Sequence, residues 1–293
     1  GYGSDRMAGM EPADLLRSMT PTIHPSQPNR ASSVIEDAWG LVFAQGGVVM
    51  AAMLRAAEEV LARDDLRLRA TSAVFCRPVP CGPVVSDVDV VRNGRSGAQV
   101  AIRLTTEPSD PLGKGDHGPN AVATAVFTAD APERATQVGL TVPSGLMVPP
   151  ADTSKAFGGP GMGGTDGENY GMNFLRQTFW NTADEQPDDP MRRLVWFRFL
   201  ATPLVADGSW EPSALLVPGD ALGLAFPPEL HTGGMTSVSL QISAQFFGPA
   251  HGDWIGIDST CFHLSGMTAS GLTNLWDERG ELVASVTQTA MLR

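Results

Sequence analysis

Residues 71–78, Thr-Ser-Ala-Val-Phe-Cys-Arg-Pro, reappear without a gap as residues 242–249, Ile-Ser-Ala-Gln-Phe-Phe-Gly-Pro. The offset of 171 (242 minus 71) carries past the shared proline, where Val84-Val85-Ser86-Asp87 meets Ile255-Gly256-Ile257-Asp258. Residues 121–129 lie over residues 282–290 in the same way, now offset by 161. A chain that repeats itself builds one supersecondary unit twice. The change of offset places about ten extra residues in the first copy, most simply in its polar Gly/Pro/Asp stretch 107–120.

With 293 residues the chain has room for two ordinary domains or for one larger unit made of the two copies, and the repeat favours the second. A hydrophobic content of 42% with only 18% charged residues supports a real core and a globular chain. The net charge of −12 has the wrong sign for broad attraction to nucleic acid or an anionic membrane. Neither partner is expected, and a phosphate-bearing ligand must be held by local donors. Cys76, Cys81 and Cys261 form no CxxC pair and no even framework. They read as buried small hydrophobes in a reducing compartment, with no structural metal. The longest apolar stretch, 46–62, is broken by Arg55, Glu58 and Glu59 and falls short of the roughly 20 residues needed to cross a bilayer. No charged leader precedes an apolar segment. A cytoplasmic location without membrane insertion is the expectation.

Residues 1–31, rich in Pro, Ser and Asn, read as an arm. Gln45-Gly46-Gly47 opens a helix over 48–62 that is apolar around nearly its whole circumference and must be wrapped by other elements. Strands are predicted at 66–75, 84–91, 99–105 and 121–128, with Asn93-Gly94 as a hairpin turn. The segment 133–192 is Gly/Pro-rich and reads as a linker. Its Gly159-Pro160-Gly161-Met162-Gly163-Gly164 matches GxGxxG literally, but no strand precedes it and no helix pattern follows. The second copy, 193–293, is predicted to hold a strand at 194–200, a helix near 220–226, and strands at 236–247, 254–263, 269–276 and 282–291. One buried helix followed by an antiparallel run of strands, twice over, predicts an α+β double hotdog. Its units are 32–132 and 193–293, each a curved sheet wrapped around a helix.

The second copy breaks the pattern of the first at particular places. Leu66, Leu68 and Ala70 alternate with Arg67, Arg69 and Thr71, so strict alternation turns the leucines inward. Projected by 171, Leu68 becomes Ser239 and Ala70 becomes Gln241, while Val238, Leu240 and Ile242 take the outward positions. That outward apolar stripe predicts a homo-oligomer formed through the second-half sheet. On the last strand the apolar face of Ala121, Ala123, Ala125, Phe127 and Ala129 is repeated with one polar member, Gln288, over Phe127. At the helix, Gln45-Gly46-Gly47 is matched by Pro218-Gly219-Asp220, which puts a carboxylate at a helix start. Each has a purely structural reading: Asp220 as an N-cap, Ser239 as a strand serine, Gln288 as a core amide bound to backbone. Taken together, the carboxylate, hydroxyl and amide have the chemistry to hold a water, with Asp220 as proton acceptor. The glycine-rich helix start has free N–H groups suited to negative charge on a carbonyl oxygen.

These residues give the chain a resemblance to a known family. Gly46-Gly47-Val48-Val49, Phe75-Cys76-Arg77-Pro78, Arg92-Asn93-Gly94-Arg95-Ser96 and Val283-Ala284-Ser285-Val286-Thr287-Gln288 occur in the order and spacing of the type II acyl-CoA thioesterases. The chain resembles these TesB-like double hotdog enzymes from about Trp39 to Pro132 and from Leu194 to Arg293. In that family an Asp, a Thr or Ser, and a Gln bind the attacking water, and these fall on Asp220, Ser239 and Gln288. Where the family often has histidines and bulky aromatics, this chain has Ser243, Ala244 and Gln245.

The resemblance implies an acyl-CoA substrate and no separate cofactor, since CoA is part of the substrate. Hydrolysis would then use Asp220 as base, Ser239 and Gln288 to orient water, and the Gly46 and Gly47 amides for the oxyanion. Two other readings stand beside it. One is an acyl-CoA binding protein that has kept the fold without turnover. The other is a hotdog hydratase or dehydratase, which needs a His paired with a carboxylate. None of His24, His117, His231, His251 and His263 has that context, and His263 reads as a solvent-facing strand residue. No GxSxG, HExxH or Walker A sequence occurs.

Overall fold

The computed structural model describes residues 12–106, 118–130, 139–159, 173–227, 229–230 and 237–293. The chain opens with the helical turn α1 (Leu15–Ser18), strands β1 (Thr22–His24) and β2 (Gln27–Ile35), and the long helix α2 (Gly46–Leu61). Strands β3 (Leu66–Phe75), β4 (Gly82–Gly94), β5 (Gly97–Thr106) and β6 (Ala121–Ala129) follow. Next come β7 (Phe157–Gly158), the helical turn α3 (Asn173–Arg176), β8 (Thr178–Thr182) and β9 (Arg192–Phe199). A 3-10 turn (Pro212–Leu215) runs into α4 (Leu216–Gly219), and a second 3-10 turn covers Leu222–Ala225. Strands β10 (Ser237–Phe246), β11 (Trp254–Ser265), β12 (Thr268–Trp276) and β13 (Leu282–Leu292) close the chain.

All described strands join one antiparallel sheet in the order β1-β2-β4-β5-β6-β3-β10-β13-β12-β11-β9-β8-β7. The run β2-β4-β5-β6-β3 is repeated in reverse as β10-β13-β12-β11-β9, and the two meet where β3 pairs with β10. This is the double hotdog, with the repeat unit now visible as five strands. Matched ion pairs mark the equivalence. Arg30 grips Asp87 through two hydrogen bonds of 2.8 and 3.1 Å across β2 and β4. Arg192 grips Asp258 at 2.7 and 2.8 Å across β9 and β11. Asp87 and Asp258 are themselves one repeat apart.

Several sequence expectations need correction. Residues 133–192 are more than a linker, because α3 lies there together with β7 and β8, which extend the second half of the sheet. The alternating Thr178–Thr182 segment is short, and its glycine- and proline-rich surroundings concealed it. The arm likewise contributes α1, β1 and part of β2. Asn93-Gly94 is not the hairpin turn: Gly94 pairs with Gly97, so Arg95 and Ser96 make the turn. Cys76 is exposed rather than buried. His263 is exposed on β11, as expected. The GxGxxG match lies largely outside the described residues, as does the extra stretch assigned to 107–120.

A shared irregularity governs which side chains face inward. β3 slips register against β6 between Leu68 and Ala70, and β10 slips against β13 between Ser239 and Gln241. Both are one-residue bulges at the same point of the repeat, and a bulge reverses the alternation beyond it. Ser239 therefore faces the interior as expected, but Gln241 turns outward and Ile242 is fully buried. Gln241 instead donates to Ser243, and Ser243 donates to Ser72 across the β3–β10 seam at 2.7 Å. The outward apolar stripe that predicted association through this sheet does not form.

Helix α2 follows from a run of Val, Met, Ala and Leu with Gln45 as its N-cap. The Gln45 side chain accepts from the Val48 N–H at 2.9 Å. The helix ends at Ala62, which takes the left-handed conformation with φ 49°. Val48 to Leu54 are buried without exception, and full burial of each larger apolar side chain contributes about 1.5–3 kcal/mol. The helix packs on β2, β4, β5 and β6 and crosses the helical run 212–219 of the second half. One apolar core therefore spans both halves. At the crossing, a Cβ on Gly47 would stand 2.1 Å from the Leu216 carbonyl oxygen, so only glycine allows the approach. Lower down α2, Arg55 donates to Glu58 at 3.2 Å and to the buried Glu211 at 3.3 Å, tying the helix to the start of that run.

Two outcomes are expected from this packing. Gly47→Ala forces backbone apart and costs about 1–3 kcal/mol or more, read from chemical denaturation. Burial, reinforced by Glu211, pushes the Glu58 carboxyl up from 4.5 to about 7. Between those values the folded chain holds a proton that the unfolded chain has released, so stability falls as pH rises through that window. Glu58→Gln removes that contribution, and its melting temperature exceeds that of the unsubstituted chain above pH 7 but not below pH 4.5.

Candidate active site

Asp220 lies at a break in the chain rather than at a helix start. The helical run that begins at Pro212 ends with Gly219, and the Asp220 N–H closes it by donating to the Leu216 carbonyl at 2.9 Å. Gly219 approaches β13 so closely that a Cβ would meet Val286 at 2.7 Å. The expected second hotdog helix over 220–226 is thus replaced by a short helix ending at Asp220 and the 3-10 turn Leu222–Ala225. Asp220 is the C-terminal cap of a helix, not an N-cap. Pro218-Gly219-Asp220 ends a helix where Gln45-Gly46-Gly47 begins one.

The structure brings all three predicted polar side chains together. Ser239 Oγ donates to Asp220 Oδ1 at 2.9 Å, Gln288 Nε2 donates to the same oxygen at 2.6 Å, and Gln288 Nε2 also reaches Ser239 Oγ at 2.8 Å. Ser239 comes from β10 just before the bulge, and Gln288 from the inward face of β13. The Leu222 N–H donates to Gln288 Oε1 at 3.3 Å, which fixes the amide with its NH2 toward Asp220. Strand register corrects one detail of the repeat. Ala123 stands opposite Ala73 and Val286 opposite Ala244, so the last strands are offset by 163 (286 minus 123) instead of 161. Gln288 accordingly replaces Ala125, not Phe127. A slip of two residues preserves the face, so the inward direction of Gln288 was still read correctly.

The first half supplies the facing wall. Gln45 Nε2 donates to Asp220 Oδ2 at 3.1 Å, and a Cβ on Gly46 would lie 2.7 Å from the same oxygen. Burial raises the Asp220 carboxyl from 3.8 to about 6, against the lowering effect of Ser239, the Gly47 N–H, Gln288 and the Gly46 N–H. The sequence reading left those two amides free for an oxyanion; in the resting site they face the carboxylate instead. Asp220 and Ser239 keep partial solvent access, whereas Gln45 and Gln288 are buried. Gln45 escaped sequence reasoning because it was read only as the residue before the glycines. A buried polar side chain at the cap of an apolar helix was the available signal.

A half-buried carboxylate poised near neutrality, with a hydroxyl and an amide aimed at it, is able to accept a proton from a bound water. Among the described residues no group of three or more His, Cys, Asp or Glu side chains is placed to hold a metal ion. No described helix is long and apolar enough to cross a membrane. A surface cleft of about 420 Å³ lined by Arg192, Asp258 and Asn274 shares no residue with this cluster.

Residues 35–128 match the family model of the acyl-CoA thioesterase N-terminal domain, and residues 148–292 match that of the acyl-CoA thioesterase C-terminal domain. The chain belongs to the acyl-CoA thioesterase family. It is a thioester hydrolase, and the two matched domains are the two halves of the sheet. Solved structures agree in fold. The acyl-CoA thioesterase II TesB2 from Mycobacterium marinum is similar at 18% identity and a TM-score of 0.70, covering 95% of this chain and 96% of that one. A hot dog protein of unknown function from Alicyclobacillus acidocaldarius reaches a TM-score of 0.71 at 16% identity, with 95% and 97% covered. The tesB protein of Mycobacterium avium subs paratuberculosis reaches 0.65 at 18% identity, with 95% and 98% covered. No curated protein sequence matches this chain.

Gly46 tests how closely the two halves of the candidate site must approach. A methyl group there meets the end of the Asp220 side chain, whereas one on Gly47 meets backbone. Gly46→Ala is therefore expected to lower turnover by about 10²-fold through a displaced carboxylate. Its loss of melting temperature should be smaller than that of Gly47→Ala, with both read on the same samples.

Proposed function

We propose that this thioesterase hydrolyses fatty acyl-CoA to the free acid and CoA by direct attack of water, without a covalent intermediate. The observation that carries the reading is the mutual hydrogen bonding of Asp220, Ser239 and Gln288 around one carboxylate oxygen. Water held by this cluster attacks the thioester carbonyl carbon while Asp220 takes its proton. A C–O bond forms and charge moves to the carbonyl oxygen. Collapse breaks the C–S bond, and the proton on Asp220 passes to the departing CoA sulfur. The Gly46 and Gly47 amides face the carboxylate in the resting site. As Asp220 becomes neutral, their hold on it weakens and they become donors for the oxyanion. The apolar walls beside the site, including Phe75 next to Gly46, suit an acyl chain, and each buried methylene adds about 0.8 kcal/mol of binding.

The base must be ionised to act. With the Asp220 carboxyl at about 6, kcat/KM falls about tenfold per pH unit below that value and levels off above it. Asp220→Asn lowers thiol release from long-chain acyl-CoA by about 10²- to 10⁴-fold and removes this acid limb. Tight acyl-CoA binding by the unsubstituted chain without thiol release would sink the hydrolytic reading. Release untouched by Asp220→Asn would sink the assignment of the base.

A further inference from the structure

Gln45 does two jobs with one amide. Its Oε1 accepts from the Val48 N–H at 2.9 Å and caps α2. Its Nε2 donates to the Val217 carbonyl at 3.2 Å and to Asp220 Oδ2 at 3.1 Å. The backbone beneath it is held as well, since the Gln45 N–H donates to the Trp39 carbonyl at 3.1 Å. Turning the amide over would set its oxygen against a carbonyl and a carboxylate, so the cap on one side fixes the donor on the other. The residue is only 5% exposed.

The two oxygens of Asp220 are therefore held from different halves of the molecule. Ser239 and Gln288 both act on Oδ1. The Gly46 and Gly47 N–H groups also bear on this carboxylate, and a side-chain donor on the second oxygen adds to their hold on its plane. Among the described side chains, Gln45 is the one that donates to Oδ2.

We infer that Gln45 is a positioning residue, a clamp from the first repeat that fixes the plane of the Asp220 carboxylate for proton transfer. This rests on the reading of Asp220 as the base. The groups around Asp220 that act on its charge are the Ser239 hydroxyl, the Gln288 amide and the Gly46 and Gly47 N–H groups, all of them neutral. Removal of a further neutral donor therefore has a defined direction: it disfavours the anion and raises the carboxyl pKa.

Two substitutions separate the clamp from the cap. Gln45→Ser keeps a good N-cap for α2 but is too short to reach Asp220, while Gln45→Met removes cap and clamp together. Each is expected to lower kcat about tenfold or more, with KM changed less than about twofold because Gln45 acts through Asp220 and not on substrate. Each also raises the Asp220 carboxyl pKa by about one unit, followed by ¹³C NMR of the side-chain carboxyl across pH. The melting temperature falls in Gln45→Met and holds in Gln45→Ser. Wild-type kcat and an unmoved carboxyl pKa in Gln45→Ser would reduce Gln45 to a helix cap and overturn the inference. Absence of thiol release by the unsubstituted chain would be a failure of the thioesterase reading instead, and the carboxyl titration still decides the clamp.

Discussion

A carboxylate taken out of water either finds donors or takes up a proton, and Asp220 is held between those outcomes. Burial pushes its carboxyl up to about 6, while a hydroxyl, an amide and two backbone N–H groups pull it back. Fewer donors would leave it protonated at neutral pH and useless as a base. A full cationic partner would hold it so firmly ionised that it would be a weak one. Much of the local architecture follows from that balance. Gly46 carries no side chain where the carboxylate sits, and Gly47 lets two helices touch at backbone distance.

Those donors arrive on three pieces of chain far apart in sequence: the start of α2, the start of β10, and the inward face of β13. The cluster therefore forms only when the two halves are docked, and the shared core that docks them also assembles it. The repeat had suggested that the second copy carries the chemistry and the first only the shape. In the structure both copies contribute to the candidate cluster. The second copy provides Asp220, Ser239 and Gln288, while the first provides the long helix, its glycines and Gln45. Among the described residues only the first copy keeps a central helix of 16 residues; in the second, the helix stops at Asp220 and leaves the carboxylate opposite the start of α2.

Strand positions were legible because alternation and β-branched content are local properties, and β3 runs over the 66–75 that its pattern predicts. Ser239 and Gln288 were legible because a repeat supplies its own comparison: a polar residue on an apolar face stands out. Other features depend on contacts that no local pattern encodes. The end of the helix at Asp220 goes with the close packing of Gly219 on Val286, a contact from a distant strand. The 161 offset was the best match of letters, and pairing between strands moved it to 163. Gln45 resembles an ordinary cap until Asp220 is seen beside it, 175 residues away.

The paired bulges in β3 and β10 determine what kind of change this fold tolerates. In an unbroken strand the side chains that meet the site and those that fill the core are locked to a common parity, so any shift of one set shifts the other. A bulge after Ser239 uncouples them: Ser239 reaches Asp220 while Ile242, an odd number of residues away, closes the core. At the same joint in β3, Leu68 and Ala73 are both buried on either side of it. The joint is thus a property of the repeated unit, and the contact of Ser239 with Asp220 sits on a hinge of side-chain direction that both copies have.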